Sequence, residues 1–303
     1  MRLIQLLSEE EWLKERRNGI GASEIGKVMG VSPWGSPLSV YLEKVEGIEK
    51  EKNIAMEVGL ALEPALRKFF IRWMKENEGI DIEIPAAEDF IGPALYAHAD
   101  HPLVRCSPDG IFYHPVFEQE VGVEYKTASE WSKDQWEGDG LPDDYYLQCQ
   151  QSLAVTGYQY WYIAYLIGNR EFNAKRVPRN EAIISMIIEQ INTFWAAHVI
   201  PKAPPPPGGL EADTAILGKL YQAQEDSTID LSHMQEAYDK YKALSEQEKD
   251  LKKQKDALKQ QFMFEMKENT LGLVNGKKVR WGMVAGFEVK ARYQEPYRKF
   301  QVY

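Results

Sequence analysis

Ser107-Pro108-Asp109-Gly110 places an acidic residue in a tight turn, and Val123-Glu124-Tyr125-Lys126 follows it in a run typical of a β-strand. Side chains two positions apart in a strand project to the same face, so Glu124 and Lys126 point together and Tyr125 points away. If the turn returns the chain beside that strand, two carboxylates and an ammonium converge. Such a group can hold Mg²⁺ against a phosphodiester and activate a water molecule. The pattern therefore predicts a metal-dependent nuclease.

The two segments also have an ordinary explanation as a surface turn and a solvated strand edge. In the nuclease interpretation, Asp109 and Glu124 supply hard oxygen donors, which suit Mg²⁺ or Mn²⁺ better than zinc. The backbone carbonyl of Tyr125 could add another oxygen. Lys126 would orient or help deprotonate the attacking water and offset negative charge in the transition state.

Helical and strand-like patterns over residues 1–203 predict an α/β (α+β) core, with a mixed central β-sheet flanked by helices. Helical patterns cover residues 8–17, 22–29, a segment from 36, 54–77, 143–156 and 180–199. Strand-like patterns cover residues 80–84, 103–106, 111–117, 121–127 and 160–167. The long amphipathic helix 54–77 has a predicted apolar side formed by Met56, Leu60, Leu66, Phe69, Phe70 and Trp73.

Four prolines and two glycines at residues 204–209 separate this core from the rest of the chain. They predict a linker over 204–230 and a C-terminal extension over 231–303. The extension contains a long polar helix, 232–268, which packs a narrow leucine stripe on the body or on a helical partner. Asn275-Gly276 predicts a type I′ β-hairpin after it. Basic and aromatic residues alternate in the tail 287–303, which suits either nucleic-acid contact or a small packed subdomain.

Composition limits the classes of protein that this chain can represent. No apolar run of its 303 residues approaches the ~20 residues of a membrane helix, and its N-terminus is not a secretory signal, so we expect a cytoplasmic protein. Cys106 and Cys149 cannot form a disulfide framework or a four-thiolate cluster, and we expect two buried, reduced thiols. The net charge is −10, and residues 1–204 contain 31 acidic and 20 basic side chains. Some of these carboxylates should therefore be metal ligands, with the others facing away from DNA.

Five further blocks of sequence follow one another in a family-specific order over about residues 10–170. They are Arg16 with Gly19-Ile20-Gly21-Ala22-Ser23-Glu24-Ile25, Gly30 to Leu38, Gly59 with Glu63-Pro64, Tyr145 with Gln148-Cys149-Gln150, and Val155-Thr156-Gly157. With the Asp109 turn and the Glu124–Lys126 strand, they resemble the lambda-exonuclease-like (YqaJ-type) viral recombinase nucleases. That family belongs to the restriction-endonuclease-like PD-(D/E)xK superfamily.

The resemblance implies a 5′→3′ exonuclease that acts on double-stranded DNA ends and leaves a 3′ single strand. It also implies two Mg²⁺ ions per site, for which Mn²⁺ substitutes. Glu63 would complete or orient the second cation. Gln148 would hydrogen-bond the attacking water or Lys126, or would be an ordinary amide on a helix surface.

Arg16 and Ser23 match the family positions that hold the 5′-phosphate of the DNA end. A guanidinium binds phosphate in a bidentate manner, and a hydroxyl at a helix N-terminus adds a donor. Ser23 could instead be a helix N-cap. Arg17 adjoins Arg16, so either arginine could face the pocket, although the family spacing favours Arg16. Trp34 could stack on a base, act as a wedge at the duplex fork, or be a buried core residue.

By the same resemblance, the partners are a single-strand-annealing recombinase and further copies of the chain in a trimeric ring, in a phage or prophage setting. The long C-terminal extension departs from the compact family members and could contact DNA, a second copy or the annealing partner. No cysteine pair and no His-x-x-x-His helix accompanies His98 and His101, as a zinc site would require. The two histidines are therefore interpreted as part of a loop near the active site. The alternatives are a structure-specific or restriction-like endonuclease on the same core, or a catalytically inactive recombination scaffold.

Overall fold

The main sheet is organised around strand β6 (Gln119–Ala128), which pairs on both of its sides. The order is β5 (Gly110–His114), β6, β7 (Tyr160–Ile167) and β8 (Glu171–Pro178). Strands β6 and β7 are parallel, whereas the other two pairs are antiparallel. The predicted mixed sheet is therefore confirmed.

A computed structural model of the protein describes residues 1–4, 8–48, 53–85, 94–138, 140–221 and 228–283. The chain forms two compact units, Met1–Leu217 and Gly218–Tyr303. The first unit extends past residue 203, where the proline run predicts the end of the core. The division of the chain into functional domains stays a prediction.

A second, smaller sheet in the first unit has the strand order β1-β3-β4-β2. Its strands are β1 (Arg2–Ile4), β2 (Ile20–Gly21), β3 (Leu95–Ala97) and β4 (Val104–Cys106). The buried Gln151 amide donates hydrogen bonds to the carbonyls of Ile20 (2.7 Å) and Arg105 (2.8 Å). Because Ile20 and Arg105 lie in the parallel pair β2–β4, this side chain fixes that pair to the helix beneath it.

The α-helices that begin in the first unit are α1 (Glu9–Arg16), α2 (Ile25–Val28), α3 (Pro37–Tyr41), α4 (Ile54–Trp73), α5 (Asp143–Thr156), α6 (Glu181–Phe194) and α7 (Glu211–Leu220). Alternate residues of β6 and β7 pack into two hydrophobic cores, one on each face of the sheet. Val123 and Tyr162 pack with Phe70 of α4. Trp161 packs with Leu153 of α5 on the opposite face.

Some local features differ from the sequence-based expectations. Residues 80–84 form no strand, although Ile82 and Ile84 are buried in the core around α4. Their alternating pattern thus reflects burial of an extended segment. Met56 and Leu60 are 40% and 58% exposed, because the fully buried residues of α4, Leu66 and Phe70, lie in its C-terminal half. Strand β8 has no counterpart in the predictions because it is a largely polar edge strand.

The predicted linker 204–230 contains helix α7, which is tied to the first unit. The Ser36 hydroxyl donates to the buried Asp213 carboxylate, and Asp213 also accepts the Gly208 N–H. In the second unit, α8 (Gln235–Met266) is followed by the antiparallel pair β9 (Leu271–Val274) and β10 (Lys277–Arg280). The predicted helix and hairpin are confirmed. The tail 287–303 lies outside the described residues.

The turn between β9 and β10 has positive φ at both central residues, 48° at Asn275 and 80° at Gly276, as a type I′ turn requires. On α8, Leu244, Leu251 and Leu258 are exposed. Cys106 and Cys149 are buried free thiols, as expected. In the part of the chain that the structure describes, no helix is long and apolar enough to cross a membrane.

Gly122 provides a test of this packing because a Cβ there would lie 2.2 Å from ring atoms of the fully buried Trp161. We expect Gly122→Ala to lower the free energy of unfolding by about 1–3 kcal/mol in urea titrations, because the core must shift to accept the methyl group. The control is Gly59→Ala inside α4, where the nearest atom is Thr127 Oγ1 at 4.0 Å. That variant should gain about 0.5–1 kcal/mol. An unchanged stability for Gly122→Ala would contradict the packing.

Candidate active site

Asp109 lies in the turn that leads into β5, immediately before the last paired residue of the β5–β6 ladder. Gly110 is opposite Val123, and the next inward N–H on β6, that of Tyr125, donates to Asp109 Oδ2 at 2.7 Å. The Asp109 carboxylate thus takes the place of a β5 carbonyl as the acceptor for the Tyr125 N–H, at a point where the β5 backbone no longer pairs with β6. Gly110 is required there because a Cβ would lie 2.8 Å from Ile84 and 2.9 Å from Val123.

Glu124 and Lys126 lie side by side on the face of β6 that meets α5. Lys126 Nζ donates to Glu124 Oε1 at 2.7 Å, and the amide Nε2 of Gln148 on α5 donates to the same oxygen at 2.5 Å. Tyr125 points to the opposite face, where its ring packs edge-on against Phe70. The structure therefore brings Asp109, Glu124 and Lys126 together as the sequence predicts.

Helix α5 supplies two of the side chains that surround this cluster. It begins after Pro142 and ends at Gly157, whose φ of 80° stops the helix. Gln148 is buried, so it is not a surface amide. One turn earlier, the Tyr145 ring lies under the ammonium of Lys126, with Nζ 5.0 Å from the ring centroid. This cation–π contact and the Glu124 ion pair hold Lys126 from two sides.

Burial and the charge of Glu124 raise the pKa of two neighbouring carboxyls, Glu63 and Asp109. Partial burial raises the pKa of Glu63 on α4, and the charge of Glu124 raises it further. Removal from water raises the pKa of Asp109 well above its usual range, and Glu124 and Glu63 add to that increase. Burial lowers the pKa of Lys126, but Glu124 and Asp109 outweigh it and leave the pKa above its usual range. The site is thus rich in negative charge that one ammonium only partly offsets.

This donor set fits a divalent cation in its chemistry. Glu63, Asp109 and Glu124 offer hard carboxylate oxygens, and their mutual repulsion is the kind that a bound cation relieves. Within the described residues, no group of three or more histidine, cysteine, aspartate or glutamate side chains is arranged to hold one metal ion together. The ligand assignments of Glu63, Asp109, Glu124 and the Tyr125 carbonyl therefore stay predictions.

Arg16, at the end of α1, belongs to a second charged cluster. Its Nη2 donates to Glu24 at 3.2 Å, its Nε lies 3.7 Å from Glu43, and its guanidinium stacks over Trp12 at 5.1 Å from the ring centroid. Trp12 in turn donates to the hydroxyl of Ser107, at 3.3 Å, in the turn that carries Asp109. The two clusters are therefore neighbours.

The other predicted DNA contacts, Ser23, Arg17 and Trp34, have different surroundings. Ser23 is exposed in the helical turn Ala22–Glu24; the N-caps are Gly21 and Glu24, so Ser23 is not an N-cap. The Arg17 guanidinium packs over Gly47. Trp34 is 59% exposed, so its interpretation as a buried core residue is wrong. Its side chain hydrogen-bonds Tyr145, which places an exposed indole beside the Lys126 cluster.

Several residues around the two clusters were not predicted. Glu24 lies inside one of the blocks that resemble the family, so the sequence contained a reason to consider it. The buried Lys44 lies in a segment with an ordinary amphipathic pattern, which does not mark it as a functional residue. Arg105 binds the carbonyl and carboxylate of Glu15 and so anchors the end of α1. Tyr145 was recognised only as part of a motif.

His98 and His101 form a local loop structure. Nδ1 of His98 accepts the N–H groups of Asp100 and His101, both at 3.1 Å, and the two rings lie 4.9 Å apart. The loop precedes β4 and contacts the small sheet through the His98 N–H, which donates to the Val104 carbonyl. These contacts account for both histidines without a metal ion.

The chain is similar to known proteins over the part that carries this site. Residues 11–159 match the YqaJ-like viral recombinase domain. It is 27% identical over 293 residues to a protein of Bacillus subtilis (strain 168) described as uncharacterized protein YqaJ, covering 94% of this chain and 87% of the relative.

The fold is shared with an alkaline exonuclease from Laribacter hongkongensis, LHK-Exo. Its crystal structure superposes with a TM-score of 0.50 at 21% identity, over 70% of this chain and 100% of that chain. A second structure of LHK-Exo, in complex with dAMP, matches with the same values. The exonuclease-like fold that the sequence motifs imply is therefore confirmed.

The raised pKa of Asp109 predicts that this residue destabilises the metal-free fold. Folding favours the protonated carboxyl, so the contribution of Asp109 to stability is most favourable below the ordinary pKa of 3.8 and is lost as the pH rises through the folded-state value. Asparagine cannot ionise and can still accept the Tyr125 N–H. In EDTA, Asp109→Asn should therefore unfold at higher urea concentration than wild type at pH 8, with the difference shrinking toward pH 4. Asp100→Asn, an exposed control, should change little at either pH. A less stable Asp109→Asn at pH 8 would contradict the assignment.

Proposed function

We propose that this protein is a metal-dependent 5′→3′ exonuclease on double-stranded DNA ends, which generates 3′ single strands for recombination by strand annealing. The observation that carries the proposal is the convergence of Asp109, Glu124 and Lys126 at the end of β6, with Gln148 on the Glu124 carboxylate. This arrangement is costly for a protein that only binds DNA, because it brings repelling carboxylates together without a cation.

The residues of the site divide the work of phosphodiester hydrolysis. Glu63, Asp109, Glu124 and the Tyr125 carbonyl would hold two Mg²⁺ ions, for which Mn²⁺ would substitute. The chemistry supplied by the bound ions is activation of water and neutralisation of charge on the phosphoryl group. Lys126 is held as an ammonium, so it orients a water or phosphate oxygen and offsets developing negative charge. Gln148 fixes the Glu124 carboxylate through its amide.

The Arg16 cluster favours an exonuclease over an endonuclease. A quarter of the Arg16 side chain is exposed beside the turn that carries Asp109, where a guanidinium can bind the phosphate at a DNA end. Ser23 is exposed two residues from the Gly21 backbone and would add a hydroxyl. Trp34, exposed next to Tyr145, would stack on a base. An endonuclease that cuts internal sites has no use for an end-phosphate site.

The proposed partners follow from the same activity. The substrate is a double-stranded DNA end, and the single strand produced would pass to a single-strand-annealing recombinase. A homo-oligomeric ring, as in the resembling nucleases, would keep the protein on its substrate. These roles suit a cytoplasmic protein of a phage or prophage.

The direct experiment is digestion of a linear duplex with Mg²⁺, with one strand labelled at its 5′ end and, in a parallel sample, at its 3′ end. Early release of the 5′ label as a mononucleotide, late release of the 3′ label and intact covalently closed circles are expected. Nicked circles would favour the endonuclease. Absence of cleavage with both Mg²⁺ and Mn²⁺ would contradict an enzymatic function.

Lys126→Ala separates catalysis from binding. We expect kcat to fall by at least about a hundredfold, because the ammonium acts on charge that develops in the transition state. Affinity for the duplex should be nearly unchanged in a gel-shift titration with Ca²⁺. Lys133→Ala, which removes an exposed lysine paired with Glu171, is the matched control and should keep full activity. An equal loss of binding and cleavage in Lys126→Ala would contradict the catalytic role.

A further inference from the structure

A fully buried ion pair lies behind Arg16. Lys44 Nζ donates to both oxygens of Glu24, at 2.9 and 2.8 Å, and both side chains are 0% exposed. Burial by itself would raise the pKa of Glu24, but Lys44 and Arg16 hold it well below its usual range. Glu24 is therefore a fixed anion inside the protein.

The remaining contacts of this pair go to one short segment of the chain. Lys44 Nζ also donates to the carbonyl of Arg16 at 3.0 Å. Glu24 accepts the Arg16 guanidinium at 3.2 Å and the Gly21 N–H at 2.7 Å. The pair thus fixes the backbone of Arg16, its guanidinium and the start of the turn that carries Ser23.

Stability alone is a weak explanation for such a pair. Removing two charges from water is costly, and replacing a buried ion pair with apolar residues is often neutral or stabilising. The contacts to Arg16 and Gly21 offer a specific use, because a side chain held before its ligand arrives loses less conformational freedom on binding. Trp12 and Glu43 also contact the guanidinium, and a quarter of the Arg16 side chain stays exposed.

We propose that the buried Glu24–Lys44 pair is a positioning element that sets Arg16 and the Gly21–Ser23 turn to bind the 5′-phosphate of a DNA end. This inference rests on the proposed exonuclease function. Glu24 and Lys44 do not touch the phosphate; they act through Arg16. The pair should therefore govern discrimination between phosphorylated and unphosphorylated ends, and leave the hydrolytic step to the Asp109 cluster.

The test compares kcat/KM on duplexes with 5′-phosphate and 5′-hydroxyl ends. The variants are Lys44→Met and the double variant Glu24→Gln/Lys44→Met, which leaves no buried charge without a partner and keeps the test valid if Lys44→Met alone unfolds. Both should reduce the phosphate-to-hydroxyl ratio roughly tenfold, mainly through KM for phosphorylated ends, and leave cleavage of hydroxyl ends near the wild-type rate. Arg16→Ala is the reference for complete loss of the preference. Lys75→Met, at an exposed ion pair with Asp81, is the matched control and should keep it.

The possible outcomes distinguish failure of this inference from failure of the proposed exonuclease function. A folded double variant that keeps the wild-type ratio, while Arg16→Ala loses it, overturns the positioning role alone. A wild-type enzyme that cleaves both ends equally overturns the phosphate site and the inference with it. An equal fall of kcat/KM on both substrates, with a lower kcat as well as a higher KM, would show a merely structural role and would also overturn the proposal.

Discussion

The rest of the site depends on the hydrogen bonds that the Glu124 carboxylate accepts from Lys126 and Gln148. One of its oxygens accepts both the Lys126 ammonium and the Gln148 amide, which joins β6 to α5 at a single atom. Its charge also raises the pKa of Asp109 and Glu63, which the fold holds within electrostatic reach of Glu124. The fold tolerates this because β6 is central in the sheet and its other face is packed on α4. In the proposed mechanism, bound cations and a phosphodiester would offset the repulsion that makes this site unfavourable in isolation.

In the proposed function, the Arg16 cluster applies the same principle to the end of the DNA. Buried charges again surround an exposed one, since Glu24 and Lys44 hold Arg16 from within. The link between the clusters is short: Arg16 stacks on Trp12, which hydrogen-bonds Ser107 in the Asp109 turn. In the proposed mechanism, the position of the terminal phosphate therefore sets where the first phosphodiester lies relative to Lys126. Recognition of the end and the length of the product become aspects of one geometry.

The sequence predicts the convergence of Asp109, Glu124 and Lys126 because this convergence depends on local structure. A turn with Asp109-Gly110 and a strand with Glu124 and Lys126 have fixed consequences for which side chains share a face. The sequence does not predict what depends on distant packing. Residues 80–84 alternate like a strand but are buried without a ladder, and Trp34 is exposed where its size suggested the core. The Glu24–Lys44 pair joins residues twenty positions apart, and no local pattern marks a lysine as buried.

The central claim is that these carboxylates bind divalent cations for hydrolysis of DNA. Calorimetric titration of Mn²⁺ into the wild-type protein and into the variant Asp109→Asn/Glu124→Gln tests it without reliance on activity. The account predicts saturable binding of two ions per chain in wild type, and binding at least about a hundredfold weaker in the variant, because both lost charges are ligands. Identical isotherms for the two proteins would contradict it.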